Sequence, residues 1–259
     1  MSNLLSRSTF GVARVFIALC VFFCHVFESF NYFGFLFVGV FFFMSGFGME
    51  KSSYRLVALV RVFPYIFYFV FFSLLYFVFF FKFPYPSSWF LIVYFLVMVL
   101  YRFFSRNVYV LTFAFVFLAG FFMFLDFNWV WSASFGAFLF GVFFARNERS
   151  FTLKIVSFLF PLSFLIVFDC IPALWCVLPL FSWLVLYVSS FRIFRVFAWL
   201  GQYTFFFYCV HCFFLGVFGA TWTLGGAPFF FGVLGAFLCS CLASWFFKDY
   251  LFNYPRVQI

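Results

Sequence analysis

Apolar residues run along this chain in long unbroken stretches, punctuated by short clusters of charged and polar residues. The runs fall near 10–27, 33–49, 63–81, 89–101, 108–125, 129–145, 154–168, 171–190, 196–217 and 228–247. Most last roughly 17–22 residues, about what a helix needs to cross some 30 Å of hydrocarbon, and they lack the period-two alternation of barrel strands. In lipid every backbone N–H and C=O must be paired within the protein, which a helix does by itself. The pattern therefore predicts an all-α fold, a polytopic transmembrane helical bundle of about ten spanning helices. The fourth run is the shortest, and it extends to Phe104 if Arg102 snorkels to the interface. The first run carries Arg14 near its start and has no small-residue exit, so it is expected to stay as a span. With only short connections between runs, residues 1–259 are expected to form one membrane-embedded domain, and any site must lie inside the bundle or at its rims.

Composition agrees with lipid as the solvent: 69% of the 259 residues are hydrophobic and 8% are charged. Phe alone supplies 61 residues, which need no function, since a membrane helix tolerates Phe about as well as Leu. The eight cysteines have no zinc spacing, and Cys209 and Cys212 form a CxxC inside an apolar run, where packing is the better reading. Charge adds orientation. With a cytoplasmic N-terminus, the inner loops and helix ends take fourteen of the 15 basic residues and Lys82 alone falls outside. Both termini are then expected to face the cytoplasm. The net charge of +9 reads as a topology signal, and no nucleic-acid partner is inferred.

Ionisable groups inside a span are costly and are candidates for function. The first span holds Arg14 and His25, eleven residues apart, which returns to nearly the same helix face about 16.5 Å further along. Glu28 follows one turn later, placed to orient the imidazole or stabilise its protonated form. The same residues admit a plainer reading: Arg14 snorkels to lipid phosphates, His25 makes an interhelical hydrogen bond, and Glu28 is a solvated loop carboxylate. The second histidine, His211, shares a face with Tyr208 and Thr204, a stripe that is more often interhelical glue than a catalytic group. No metal site is expected.

Several segments, in order, resemble the acyltransferase-3 family of integral-membrane acyltransferases. RVFIALCVFFCH, residues 14–25, is similar to the first-helix pattern of an Arg followed by ten residues and a His. VGVFFFMSGF at 38–47 resembles the block ending Ser-Gly-Phe, which contains Ser45, and RVFP at 61–64 resembles the Arg-x-x-Pro opening of the third helix, with Arg61. SWFLIVYFL at 88–96 is similar to the Trp-Phe-Leu block that follows. LGQYTFFFYCVH at 200–211 aligns without gaps to the signature near the family's end, Thr204 standing in its Ser position. The chain departs from the family at Phe41, Ala58 and Ser87, which replace an Asp, the first Arg of an Arg-x-x-Arg pair and a His.

The resemblance implies an O-acyltransferase of a bacterial cytoplasmic (inner) membrane that moves an acyl group, often acetyl, from cytoplasmic acyl-CoA to a hydroxyl of an extracytoplasmic glycan or glycolipid. Acyl-CoA would be a co-substrate rather than a bound cofactor, and the partners would be the lipid bilayer, acyl-CoA and the acceptor. Under it Arg14 and Arg61 are placed to bind donor phosphates, Ser45 to line the donor passage, and His25 to act as general base or transient acyl carrier, with Glu28, His211 and Tyr208 on the acceptor side. The rivals are a polytopic transporter or flippase, or a non-catalytic subunit of surface-glycan assembly. Against the first, the spans contain no carboxylate pair for a proton relay.

Overall fold

The computed structural model describes residues 6–26, 31–51, 62–80, 88–124, 129–146, 178–217 and 227–247. Among these residues the protein is all-helical: α1 Arg7–Val26, α2 Asn31–Lys51, α3 Phe63–Phe80, α4 Ser88–Phe104, α5 Val108–Phe124, α6 Trp129–Arg146, α7 Leu178–Ser189, a 3₁₀ helix Arg192–Gln202, α8 Thr204–Val217 and α9 Ala227–Phe246. Most of these boundaries fall within about two residues of the apolar runs, because nearly every run ends where charge begins. The fourth helix does reach Phe104, with Arg102 exposed in its last turn. The run at 154–168 and the start of the run at 171–190 lie outside the described residues.

One expectation is corrected. The run 196–217 is not a single helix but a 3₁₀ segment followed, after Tyr203, by α8. The Thr204 hydroxyl donates to the Gly201 carbonyl at 2.9 Å and the Tyr203 N–H donates to the Leu200 carbonyl, so the Gly-Gln-Tyr-Thr sequence closes a turn and restarts the helix. Hydrophobicity alone cannot register such a break, since residues on both sides are apolar.

The helices gather into two compact units. The first draws on Met1–Gly34, Leu59–Leu91 and Ser189–Ile259, the second on Phe35–Ala58 and Ile92–Val188. In the first, α8 is central and packs against α1, α3, α9 and the 3₁₀ helix. Aromatic rings carry much of this packing: Tyr65 of α3 lies 4.2 Å from Phe205 and 4.6 Å from Phe206, and Phe72 lies 5.1 Å from Phe213. α1 and the 3₁₀ helix touch backbone to backbone. A Cβ on Gly11 would come within 2.5 Å of the Ala198 carbonyl, and one on Gly201 within 2.5 Å of the Gly11 carbonyl.

The second unit uses the same device between α2 and α6. A Cβ on Gly46 would strike the Phe138 carbonyl, and one on Gly141 the Phe43 carbonyl. Gly141 belongs to a buried stripe of small residues at four-residue spacing, Ala133, Ala137, Gly141 and Ala145, which lets α6 approach its neighbours closely. α5 and α6 pack together, and the buried Ser132 hydroxyl of α6 donates to the Ala119 carbonyl of α5 at 3.1 Å.

Outward faces are as apolar as the core. α9 exposes Phe230, Leu234, Leu238, Leu242 and Trp245 along its length, and α5 exposes Tyr109, Phe113, Val116, Phe117 and Phe121. Among the described residues Gly34–Lys51 is long and apolar enough by itself to cross a membrane, and Leu180–Ser189 with Arg192–Gln202 qualifies if the two are counted as one broken span.

Candidate functional site

α1, whose sequence holds Arg14 and His25, packs against α8, whose sequence holds Tyr208 and His211. Phe22 of α1 is buried against α8, its ring centroid 5.8 Å from Phe207 and 6.1 Å from His211. His25 is three residues beyond Phe22 in the last turn of α1.

His211 is 1% exposed, with its ring stacked on Phe207 at 6.0 Å and tilted to Tyr208 at 5.3 Å. Its Nδ1 lies 2.7 Å from the Tyr208 carbonyl oxygen. A carbonyl only accepts, so the neutral ring carries its proton on Nδ1 and donates it there, leaving Nε2 as the basic nitrogen. Tyr208 in turn packs its ring 4.4 Å from Phe90, in the first turn of α4. The stripe of Thr204, Tyr208 and His211 therefore divides: Thr204 closes the turn before α8, whereas Tyr208 and His211 sit together in the aromatic core of the first unit.

Arg14 lies on α1 eleven residues before His25, with its side chain exposed. Ser45 belongs to the second unit, in α2, and its hydroxyl donates to the Phe41 carbonyl of its own helix at 2.9 Å. Glu28 and Arg61 lie outside the described residues.

No family model, curated protein or solved structure matches the chain.

A tightly knit polar cluster among the described residues involves none of the predicted site residues. In the second unit, Glu50 near the end of α2 accepts a 2.5 Å hydrogen bond from the Tyr101 hydroxyl of α4 and pairs with Arg146 Nε at the end of α6, 3.0 Å away. Arg146 also donates to the Ser105 carbonyl at 2.5 Å. Tyr101 is fully buried, while the pair keeps a small share of its surface in contact with solvent. A carboxylate held by a guanidinium and a phenol can tie three helix ends together. The signal was present in part: each group stands in the last turn or two of an apolar helix, so an acid, a phenol and an Arg lie at matching depth. Spacing along the chain does not encode which helices are neighbours.

Proposed function

We propose that this chain is a multi-pass O-acyltransferase of a bacterial cytoplasmic membrane, with about ten spans and both termini inside, that transfers an acyl group from cytoplasmic acyl-CoA to a hydroxyl of an extracytoplasmic glycan or glycolipid. The exposed Phe and Leu stripes of α5 and α9 support a lipid environment, since they run the length of their helices and would otherwise face water. The observation that supports the catalytic reading is the packing of α1, the helix whose sequence holds Arg14 and His25, on α8, where buried His211 meets Phe22.

In this reading the His25 imidazole accepts the proton of the acceptor hydroxyl as its oxygen attacks the thioester carbonyl. Collapse of the tetrahedral intermediate breaks the C–S bond, and the imidazolium returns the proton to the departing thiolate of coenzyme A. His211 and Tyr208 line the wall beside it, and Arg14 holds donor phosphate at the inner end of α1.

The test is a strain lacking the gene, complemented with wild type or His25→Ala, and mass analysis of its surface glycan. The variant should insert normally yet lose acyl incorporation, as removal of a general base typically costs about 10²–10⁴ in rate. Glycan that is absent altogether in the deletion strain, rather than under-acylated, would instead identify a transporter or assembly subunit.

A further inference from the structure

The 3₁₀ helix Arg192–Gln202 is eleven residues long, where runs beyond three or four are uncommon. Its three-residue repeat matters for the side chains. On an α-helix, residues three apart are offset by about 60°, but on a 3₁₀ helix they eclipse. Arg192 and Arg195 therefore stand directly in line, about 6 Å apart along the axis, and Ala198 and Gly201 continue the same row. That row faces α1, because Ala198 and Gly201 are the residues that touch Gly11.

The crossing also fixes where Arg14 stands. On α1, Arg14 falls between Gly11, which meets Ala198, and Phe16, whose ring lies 5.2 Å from Phe194. On the 3₁₀ helix, Arg195 falls between the same two contacts. Arg14 and Arg195 are thus at one level of the crossing, with Arg192 one turn on.

All three arginines are exposed, and among the described residues none makes an ion pair. The described part of this unit holds no Asp or Glu at all. The first turn of the 3₁₀ helix has no acidic residue and no side-chain cap. Guanidinium groups aligned on one row repel each other, and nothing in the unit's described residues offsets this. The adjacent row is apolar and outward-facing, with Ile193, Val196 and Trp199 at 75%, 63% and 58% exposure. The segment accordingly presents an apolar edge beside a cationic one, the pattern of a surface that meets both hydrocarbon and phosphate.

We propose that Arg14, Arg192 and Arg195 form a phosphate-ester site at the crossing of α1 and the 3₁₀ helix, and that its ligand is the phosphorylated nucleotide end of the acyl-CoA donor. Naming that donor rests on the acyltransferase reading; the anion site does not. Arg suits this chemistry because its planar fork binds phosphate oxygens in pairs, and a diphosphate with a ribose phosphate offers enough oxygens for three forks. Anionic lipid headgroups share the same chemistry, and the experiment separates the two sources.

Full-length wild type, Arg192→Gln/Arg195→Gln and Arg192→Lys/Arg195→Lys are placed in zwitterionic nanodiscs, and coenzyme A and pantetheine are titrated into each. Retained phosphatidylglycerol is measured by mass spectrometry after purification from an anionic membrane. The Gln pair should bind coenzyme A at least about tenfold more weakly, the loss expected for one or more charged hydrogen bonds, with pantetheine binding unchanged. The Lys pair keeps the charge and should recover part of the affinity, which guards against misfolding as the cause. Unchanged coenzyme A affinity with loss of retained phosphatidylglycerol would make the ligand a headgroup and keep the site. If wild type binds no coenzyme A yet its arginines retain phosphatidylglycerol, the site stands and the acyltransferase reading falls. No change in either ligand would overturn the site.

Discussion

At the scale of single residues, burial separates what a side chain could do from what its sequence position suggests. His211 looked like one member of a polar stripe; in the structure it is a buried ring with one nitrogen committed to the Tyr208 carbonyl and three aromatic neighbours. His211→Asn retains an amide N–H near the Nδ1 position but lacks a basic nitrogen, whereas His211→Phe retains ring packing and lacks both. If Nε2 helps orient the reacting groups, both variants should fold and both should slow transfer with little change in donor KM. A rate unchanged in both would confine His211 to packing. The sequence pointed to Arg14, His25 and His211 because charge inside an apolar run is visible. It could not reveal the Glu50, Tyr101 and Arg146 cluster, whose successive members are about 50 residues apart along the chain. Tyr101→Phe keeps the buried ring and removes one hydrogen bond to a charged group, so it should lower stability by about 1.5–3 kcal/mol in detergent melts. Glu50→Ala should lower it more, because it leaves the Arg146 guanidinium without its counterion. Equal melting temperatures for wild type and both variants would show that the cluster does not hold the helix ends.

At the scale of elements, the apolar runs predicted helix limits well because a charge ends nearly every run, and failed where no charge marks the boundary, at Tyr203. Helix contacts were less legible. The four-residue repeat of Ala133, Ala137, Gly141 and Ala145 is present in the sequence, yet many apolar helices carry small residues, and the partner of such a stripe is set by the fold. Glycines within one helix provide a sharp test. A Cβ at Gly136 meets nothing within 4 Å, so Gly136→Ala should leave stability unchanged or raise it by up to about 1 kcal/mol through helix propensity. Five residues later Gly141→Ala places a methyl group against the Phe43 carbonyl and the Phe47 nitrogen, both backbone atoms that cannot swing aside. α2 and α6 must then separate, and the variant should melt earlier and lose its monodisperse elution. If the two substitutions behave alike, the close approach of α2 and α6 is wrong.

At the scale of the whole molecule, each compact unit is assembled from separate stretches of chain, and no cut at one point divides them. A reading along the sequence expects one domain from uninterrupted short loops; it has no access to this grouping, because several helices adjacent in sequence, such as α1 and most of α2, belong to different units. Orientation is more accessible, since it depends on loop charge rather than on contacts. Fourteen of the 15 Lys and Arg residues fall on one side of a ten-span arrangement, and removal of any one span would reverse the side of every later loop and scatter them. Reporter fusions after Glu28, Asp126 and Asp169 should therefore read as extracytoplasmic, and fusions after Arg55 and Arg149 as cytoplasmic. The fusion after Arg149 is decisive, because it follows six apolar runs and precedes the run at 154–168. A cytoplasmic reading there with an extracytoplasmic reading after Asp169 requires that run to cross the membrane. An external reading at Arg149 would move Arg146 and its Glu50 partner to the outer face and invalidate the ten-span count. It would also detach the cationic crossing at Arg14, Arg192 and Arg195 from any cytoplasmic donor, since the parity of spans between Arg14 and Arg192 would no longer place both on the inner side.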